Sequence, residues 1–270
     1  MSIHPSAIVH PESQIADDVE IGAYVCIEGP AVIGSGCVIQ PHAILSGAVT
    51  LGKNNTIGYG AVIGSFPQDL SYKPGTQSSV EIGDDNVFRE YCTVNRGTAE
   101  GSLTRIGSKG FFMTGAHIGH NSVVGNQVII ANNVLLGGHV HIGDRAFLGG
   151  GSVFHQFVRV GRLVVAQGNS AFSKDVPPFT LGALLNTVAG LNSIGLRRAG
   201  LSSAERQEAK EAFRLLYRSG FNSRQALEEA AKREWSPVGT EFFDFVGSAK
   251  KRGICDLLVR RGSNSAAESE

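Results

Sequence analysis

Aliphatic residues at strict six-residue intervals, an excess of glycine, and an abrupt change of pattern after residue 178 predict one architecture. It is an all-β parallel β-helix of triangular section, followed by an α-helical C-terminal domain. The period is read from Ile3, Val9, Ile15, Ile21, Ile27, Ile33, Ile39, Leu45, Leu51, Ile57 and Ile63. It breaks across a Ser-, Pro- and Gln-rich stretch, 64–81, and resumes at Ile82, Phe88 and Val94. After a second polar insertion near 97–105 it continues from Ile106 to Phe172. A helix would repeat every ~3.6 residues and an amphipathic strand every ~2. A period of six suits a short strand plus a corner, and three such units close a coil of eighteen residues. Glycine is 35 of 270 residues, about 13% against a usual ~7%. It often follows the aliphatic position, where a corner demands dihedrals that other residues resist. A small or β-branched residue, such as Ala7, Val25, Cys37 or Ala116, comes four positions after the aliphatic one and faces the cramped interior. The β-helix domain is expected over 1–180, and the helical domain, with a flexible tail, over 181–270.

Beyond Asp175-Val176-Pro177-Pro178 the hexad ends, since proline gives no donor to a ladder. A short helix is expected over Leu191–Arg198. A second, capped by Ser202 or Ser203, runs to Arg218, with Ala209, Ala212, Phe213, Leu215 and Leu216 on its inner face. A third starts at Asn222 or Ser223 and runs through Arg233. Ser236-Pro237 suits an N-cap with proline in the first turn of a fourth, reaching about Ala249. The final GSNSAAESE reads as a frayed tail.

Lys plus Arg and Asp plus Glu balance at 24 each, which argues against a general nucleic-acid binder. No stretch approaches the ~18 consecutive apolar residues of a membrane span, and no secretory leader precedes the repeat. Cys26, Cys37, Cys92 and Cys255 are scattered, which suits buried thiols of a cytoplasmic protein better than disulfides or a zinc site.

Five of the eight histidines fall between 117 and 155: His117, His120, His139, His141 and His155. The coil length brings His120, the Gly137-Gly138-His139 corner and the His155-Gln156 pair together on three successive storeys. Polar residues at corners are ordinary singly, but a stacked group is less so. Two chemistries suit it: a metal site, since imidazole is a common zinc ligand, or a neutral imidazole acting as general base. The exposed glycine amides of Gly137 and Gly138 beside such a base favour acyl transfer, because backbone N–H groups can hold an oxyanion.

GSFPQDLSY (64–72), NRGT (95–98), GAHIGHNSVVGN (115–126), LLGGHVHIGD (135–144), FHQFVRVG (154–161) and KDVPPF (174–179) resemble the UDP-N-acetylglucosamine acyltransferases that open lipid A biosynthesis. The resemblance spans nearly the whole chain. It implies a homotrimer of left-handed β-helices that moves a 3-hydroxyacyl chain from acyl carrier protein to the sugar 3-hydroxyl, without a cofactor. It makes His120 the general base and Gly138 the oxyanion donor. His117, His139, His155 and Gln156 become sugar and phosphate contacts. Gln68 and Asp69 match sugar-binding positions reaching from a neighbouring subunit. Asn192 and Arg198 match nucleotide contacts, and Gly168 matches the position limiting acyl-chain length. A glycine at 168 leaves the groove open for a longer chain.

The chain also departs from the family pattern. Asn121 stands where an aspartate commonly follows the catalytic histidine. Ile194, Ala199, Ser71 and Asn95 replace a glutamate, a basic residue, a lysine and a histidine. These changes leave room for a different acceptor, such as the 3-amino analogue of the sugar. The other readings are an acetyl-CoA-dependent hexapeptide enzyme, a γ-type carbonic anhydrase, whose histidine spacing His117-x-x-His120 does not match, and a non-catalytic nucleotide-sugar binder.

Overall fold

A computed structural model describes residues 2–258, and the expected frayed tail lies outside them. Strands of two to four residues pair in parallel with the strand one coil on, so that Ile21 pairs with Ile39 and Ile118 with Leu136. Three sheets of twelve, nine and eight strands form the walls of a left-handed triangular column. The six-residue aliphatics point inward and stack on one another, with Phe88 on Phe112 at 4.5 Å and Phe154 on Phe172 at 5.1 Å between ring centroids. The small-residue slot is buried as well, at Val25, Cys37, Ala43, Ala116 and Val134. Asn55 and Asn86 also occupy it; their amides bond each other at 3.0 Å and the corner carbonyls of Gly83 and Gly107.

The two insertions leave the column without disturbing its register. Val62 pairs with Thr93 across the first, and Val80 with Thr104 across the second.

The double proline ends the hexad but not the sheet. Thr180–Ala183 pairs in parallel with Val165–Ala166, and Thr187–Leu191 turns back antiparallel to it. Asp256–Leu257 then adds a final parallel strand. The top coil leaves an edge with free N–H and C=O groups, and these segments cover it. The strand 180–183 therefore crosses the residue at which the helical region was expected to begin, and 256–257 returns to the sheet from beyond it.

Four helices follow: α1 (Ser193–Arg198), α2 (Ser203–Arg218), α3 (Ser223–Ala230) and α4 (Pro237–Gly247). Leu191 is in a strand rather than in α1, because the Asn192 side chain caps the helix by accepting from the Gly195 N–H. Ser202 and Asn222 each form a capping box, and Ser236 caps α4 ahead of its proline. The third helix stops three residues short of Arg233, where the Trp235 indole N–H donates to the Ala230 carbonyl at 2.9 Å. The fourth ends at Gly247, and the Ser248 hydroxyl donates to the Asp244 carbonyl. Leu196, Ala209, Ala212, Leu216, Phe242 and Val246 pack with Leu163 and Phe179 of the column, joining the two regions. Among the described residues no helix is long and apolar enough to cross a membrane.

Candidate active site

Stacking at one corner of the column assembles the site. Gly119, Gly137 and His155 form one vertical file; His120, Gly138 and Gln156 form the next; Asn121, His139 and Phe157 form the third. The last three all hold the left-handed backbone, with φ of 59°, 58° and 67°. The His120 ring lies under Gly138 and fills the space that a side chain there would need. A Cβ on Gly138 would come 2.3 Å from Cε1 and 2.4 Å from Nε2 of His120. Gly138 is buried, and its N–H donates to no protein group among the described residues.

Hydrogen bonding fixes the chemistry of His120. Asn121 Oδ1 accepts from the Thr98 N–H at 3.1 Å and from the Thr98 hydroxyl at 3.0 Å. A backbone N–H can only donate, so that atom is the carbonyl oxygen of the amide. His120 Nδ1 sits 3.0 Å from the same oxygen and must therefore carry the proton. In the neutral imidazole the lone pair then belongs to Nε2, which is buried and without a hydrogen-bond partner. A buried polar atom left unpaired is costly, so it marks a place made for something else. Asp69 Oδ2 lies 3.6 Å away. The Ser71 hydroxyl and amide bond the other oxygen at 2.7 and 2.8 Å and hold the carboxyl below its ordinary range. Asp69 is thus ionised at neutral pH beside the free nitrogen.

A cavity of about 460 Å³ lies beside His120. Gln68, His117, His120, Gly138, His155 and Gln156 all line it, and Leu135, Val153, Ala171 and Leu185 give it an apolar strip along one wall. Burial, with His120 nearby, pushes the His117 imidazole below its usual value, and it shares a 2.7 Å hydrogen bond with the Thr93 hydroxyl. Asn95 also lines the cavity; its amide N–H groups hold Ser65 Oγ and the Phe66 carbonyl, both at 2.9 Å. The Arg96 guanidinium covers the Phe66 ring at 4.4 Å.

Several expected residues are placed differently. Within one chain, Asn95 and Arg96 hold the base of the loop that carries Gln68 and Asp69, and the loop sets Asp69 Oδ2 3.6 Å from His120 Nε2. His139 faces the other side of the corner, edge-on to His120 at 5.3 Å and stacked on Phe157 at 4.6 Å. Asn192 is buried as a helix cap, with its amide also on the Leu163 carbonyl, and Arg198 is exposed in the last turn of α1. Neither lines the His120 cavity. Gly168 sits at a different corner, three residues before Ala171 of the apolar strip. Thr98 was not singled out in the sequence, although it lies within the NRGT segment. Among the described residues no three His, Cys, Asp or Glu side chains converge as metal ligands.

Two family models match the chain. Residues 175–255 match "UDP N-acetylglucosamine O-acyltransferase; Domain 2", and 30–65 match the bacterial transferase hexapeptide. The acyl-[acyl-carrier-protein]–UDP-N-acetylglucosamine O-acyltransferase of Synechocystis is 46% identical, covering 91% of this chain and 89% of its own. Two solved UDP-N-acetylglucosamine acyltransferases superpose closely. That of Francisella novicida is 36% identical with a TM-score of 0.90, covering 94% of both chains. That of Moraxella catarrhalis is 39% identical with a TM-score of 0.89, covering 94% of this chain and 100% of its own.

Proposed function

Because the chain belongs to the UDP-N-acetylglucosamine O-acyltransferase family, we propose that the cavity over His120 transfers an acyl chain from acyl carrier protein to the sugar of UDP-N-acetylglucosamine. The observation that carries the mechanism is His120 Nε2, buried and unpaired, on a residue that lines that cavity. Nε2 takes the proton of the sugar 3-hydroxyl as its oxygen attacks the thioester carbon. The resulting oxyanion receives the unused Gly138 N–H. Collapse breaks the carbon–sulfur bond, and the leaving thiolate takes the proton back from Nε2. Asp69 lies close enough to stabilise the imidazolium in between, which the neutral Asn121 supports less. Gln68, His117, His155 and Gln156 hold the sugar, and the strip Leu135–Val153–Ala171 takes the 3-hydroxyacyl chain, with Gly168 at its edge as the length limit. No cofactor enters these steps.

Asn192 and Arg198 lie away from the chain's own His120 cavity, which suits nucleotide contacts made to a neighbouring copy in a homotrimer. An assay crossing carrier-linked donors of several lengths with UDP-N-acetylglucosamine and its 3-amino analogue tests the reading. Transfer to the 3-hydroxyl sugar is expected, and His120→Ala should lower it by ~10² or more. Transfer only to the amino analogue would move the acceptor. Turnover unchanged in His120→Ala would remove the base.

A further inference from the structure

Across the corner from the His120 cavity lies a larger one, of about 760 Å³, that the acyl-transfer steps do not use. His139, His141, Phe157 and Arg159 of the column form one wall, and Lys250, Lys251 and Arg252, just past α4, form the other. Its charge is one-sided. The single carboxylate, Asp175, is already engaged by Arg159 at 2.7 Å. Arg252 reaches the corner itself, donating to the Gln156 carbonyl at 3.0 Å and to His155 Nδ1 at 2.5 Å. Lys250 and Lys251 are exposed, and neither has an ion-pair partner among the described residues. Three uncompensated cations around one concavity set up a potential that an anion relieves. The volume is that of a small-molecule site rather than of a flat protein contact. Burial and the neighbouring Arg159 and Lys250 keep His141 below its ordinary value, so it can serve as a neutral hydrogen-bonding group there. The cavity adjoins the reaction centre: His139 lies edge-on to His120, and Arg252 touches His155 and Gln156 of the neighbouring cavity.

We propose that the cavity walled by Lys250, Lys251, Arg252 and His139 binds a phosphate ester carried by one of the two substrates. The identity of those substrates rests on the acyl-transfer reading. The phosphodiester of a carrier's pantetheine arm and the diphosphate of a nucleotide sugar offer the same chemistry: tetrahedral, oxygen-rich and anionic, matched by a guanidinium fork and two ammonium groups. Either would be held just behind the atoms that react.

Two measurements on the full-length protein test this. The first titrates it with 4′-phosphopantetheine and, separately, with UDP, following the His139 and His141 imidazole resonances; pantetheine and uridine are the controls. Saturable shifts are expected from a phosphorylated compound and not from its control. Lys250→Ala/Lys251→Ala should weaken them at least tenfold, whereas Lys250→Arg/Lys251→Arg should retain them. No saturable shift, or an equal shift in the double-alanine variant, would overturn the proposal. The second measures KM in the double-alanine variant. A rise confined to the carrier-linked donor assigns the pantetheine arm, and a rise confined to the sugar assigns the diphosphate. No rise in either KM overturns the proposal. The titration needs no turnover, so a protein inactive with every donor would count against the acyl-transfer reading and leave the cavity to be judged by its ligands.

Discussion

At the scale of single residues, His120 is defined by two groups that carry no charge. Gly138 gives up its side-chain space to the ring, and Thr98 locks the Asn121 amide so that its oxygen faces Nδ1. Gly138→Ala is therefore expected to push the imidazole aside and cut kcat/KM by ~10², the usual effect of an ångström of misplacement. A steady-state assay beside a melting curve separates that loss from unfolding. Thr98→Val removes one of the two donors that hold the Asn121 amide oxygen, which loosens the amide against Nδ1. A fall of about tenfold in kcat/KM is expected, roughly 1.4 kcal/mol of barrier. Thr98→Ser should restore the rate, and the 15N imidazole spectrum of His120 should show the Nδ1-protonated tautomer giving way to a mixture in the valine variant alone. The histidine stack was legible in the sequence, because the coil length alone places 120, 138 and 156 above one another. Thr98 was not: its partner is 23 residues away, across an insertion that no period reads through.

Among elements, the column and the loops differ in how they encode position. Register follows from hexad spacing, so every strand up to Phe172 could be placed from sequence. The 64–81 loop has no period, and its course depends on contacts invisible in one dimension. Asn95 supplies two of them from the column wall and is 2% exposed. Asn95→Ala should cost about 1–3 kcal/mol, the price of a buried network losing its donor. It should also release Asp69 from His120, lowering kcat more than it raises KM for the sugar; chemical denaturation and initial rates check the two parts. The C-terminal return strand was likewise hidden. Asp256–Leu257 is too short to carry a pattern, and tertiary pairing, with the Tyr217 hydroxyl on the Cys255 carbonyl at 2.9 Å, fixes it instead.

For the whole molecule, three imidazoles sit below their ordinary values: His117, His139 and His141, each chiefly through burial. The unfolded chain, with imidazoles near ~6.5, then binds more protons than the native one as acid is added. Stability is expected to hold above about pH 6.5 and to decline as the pH falls below it. Melting temperatures at pH 7.5 and 5.5 should show the decline, and His117→Gln should reduce it. Because His120, Gly138 and Gln156 meet only through vertical stacking, an extra amino acid spliced between two of them would rotate everything above it out of phase, turning greasy side chains to water. Added length is harmless only where it bulges from a bend, as at 64–81 and 97–105. The scaffold thus works like a combination lock: new specificity can be dialled in at the bends, one ring at a time, while the tumblers beneath keep their alignment.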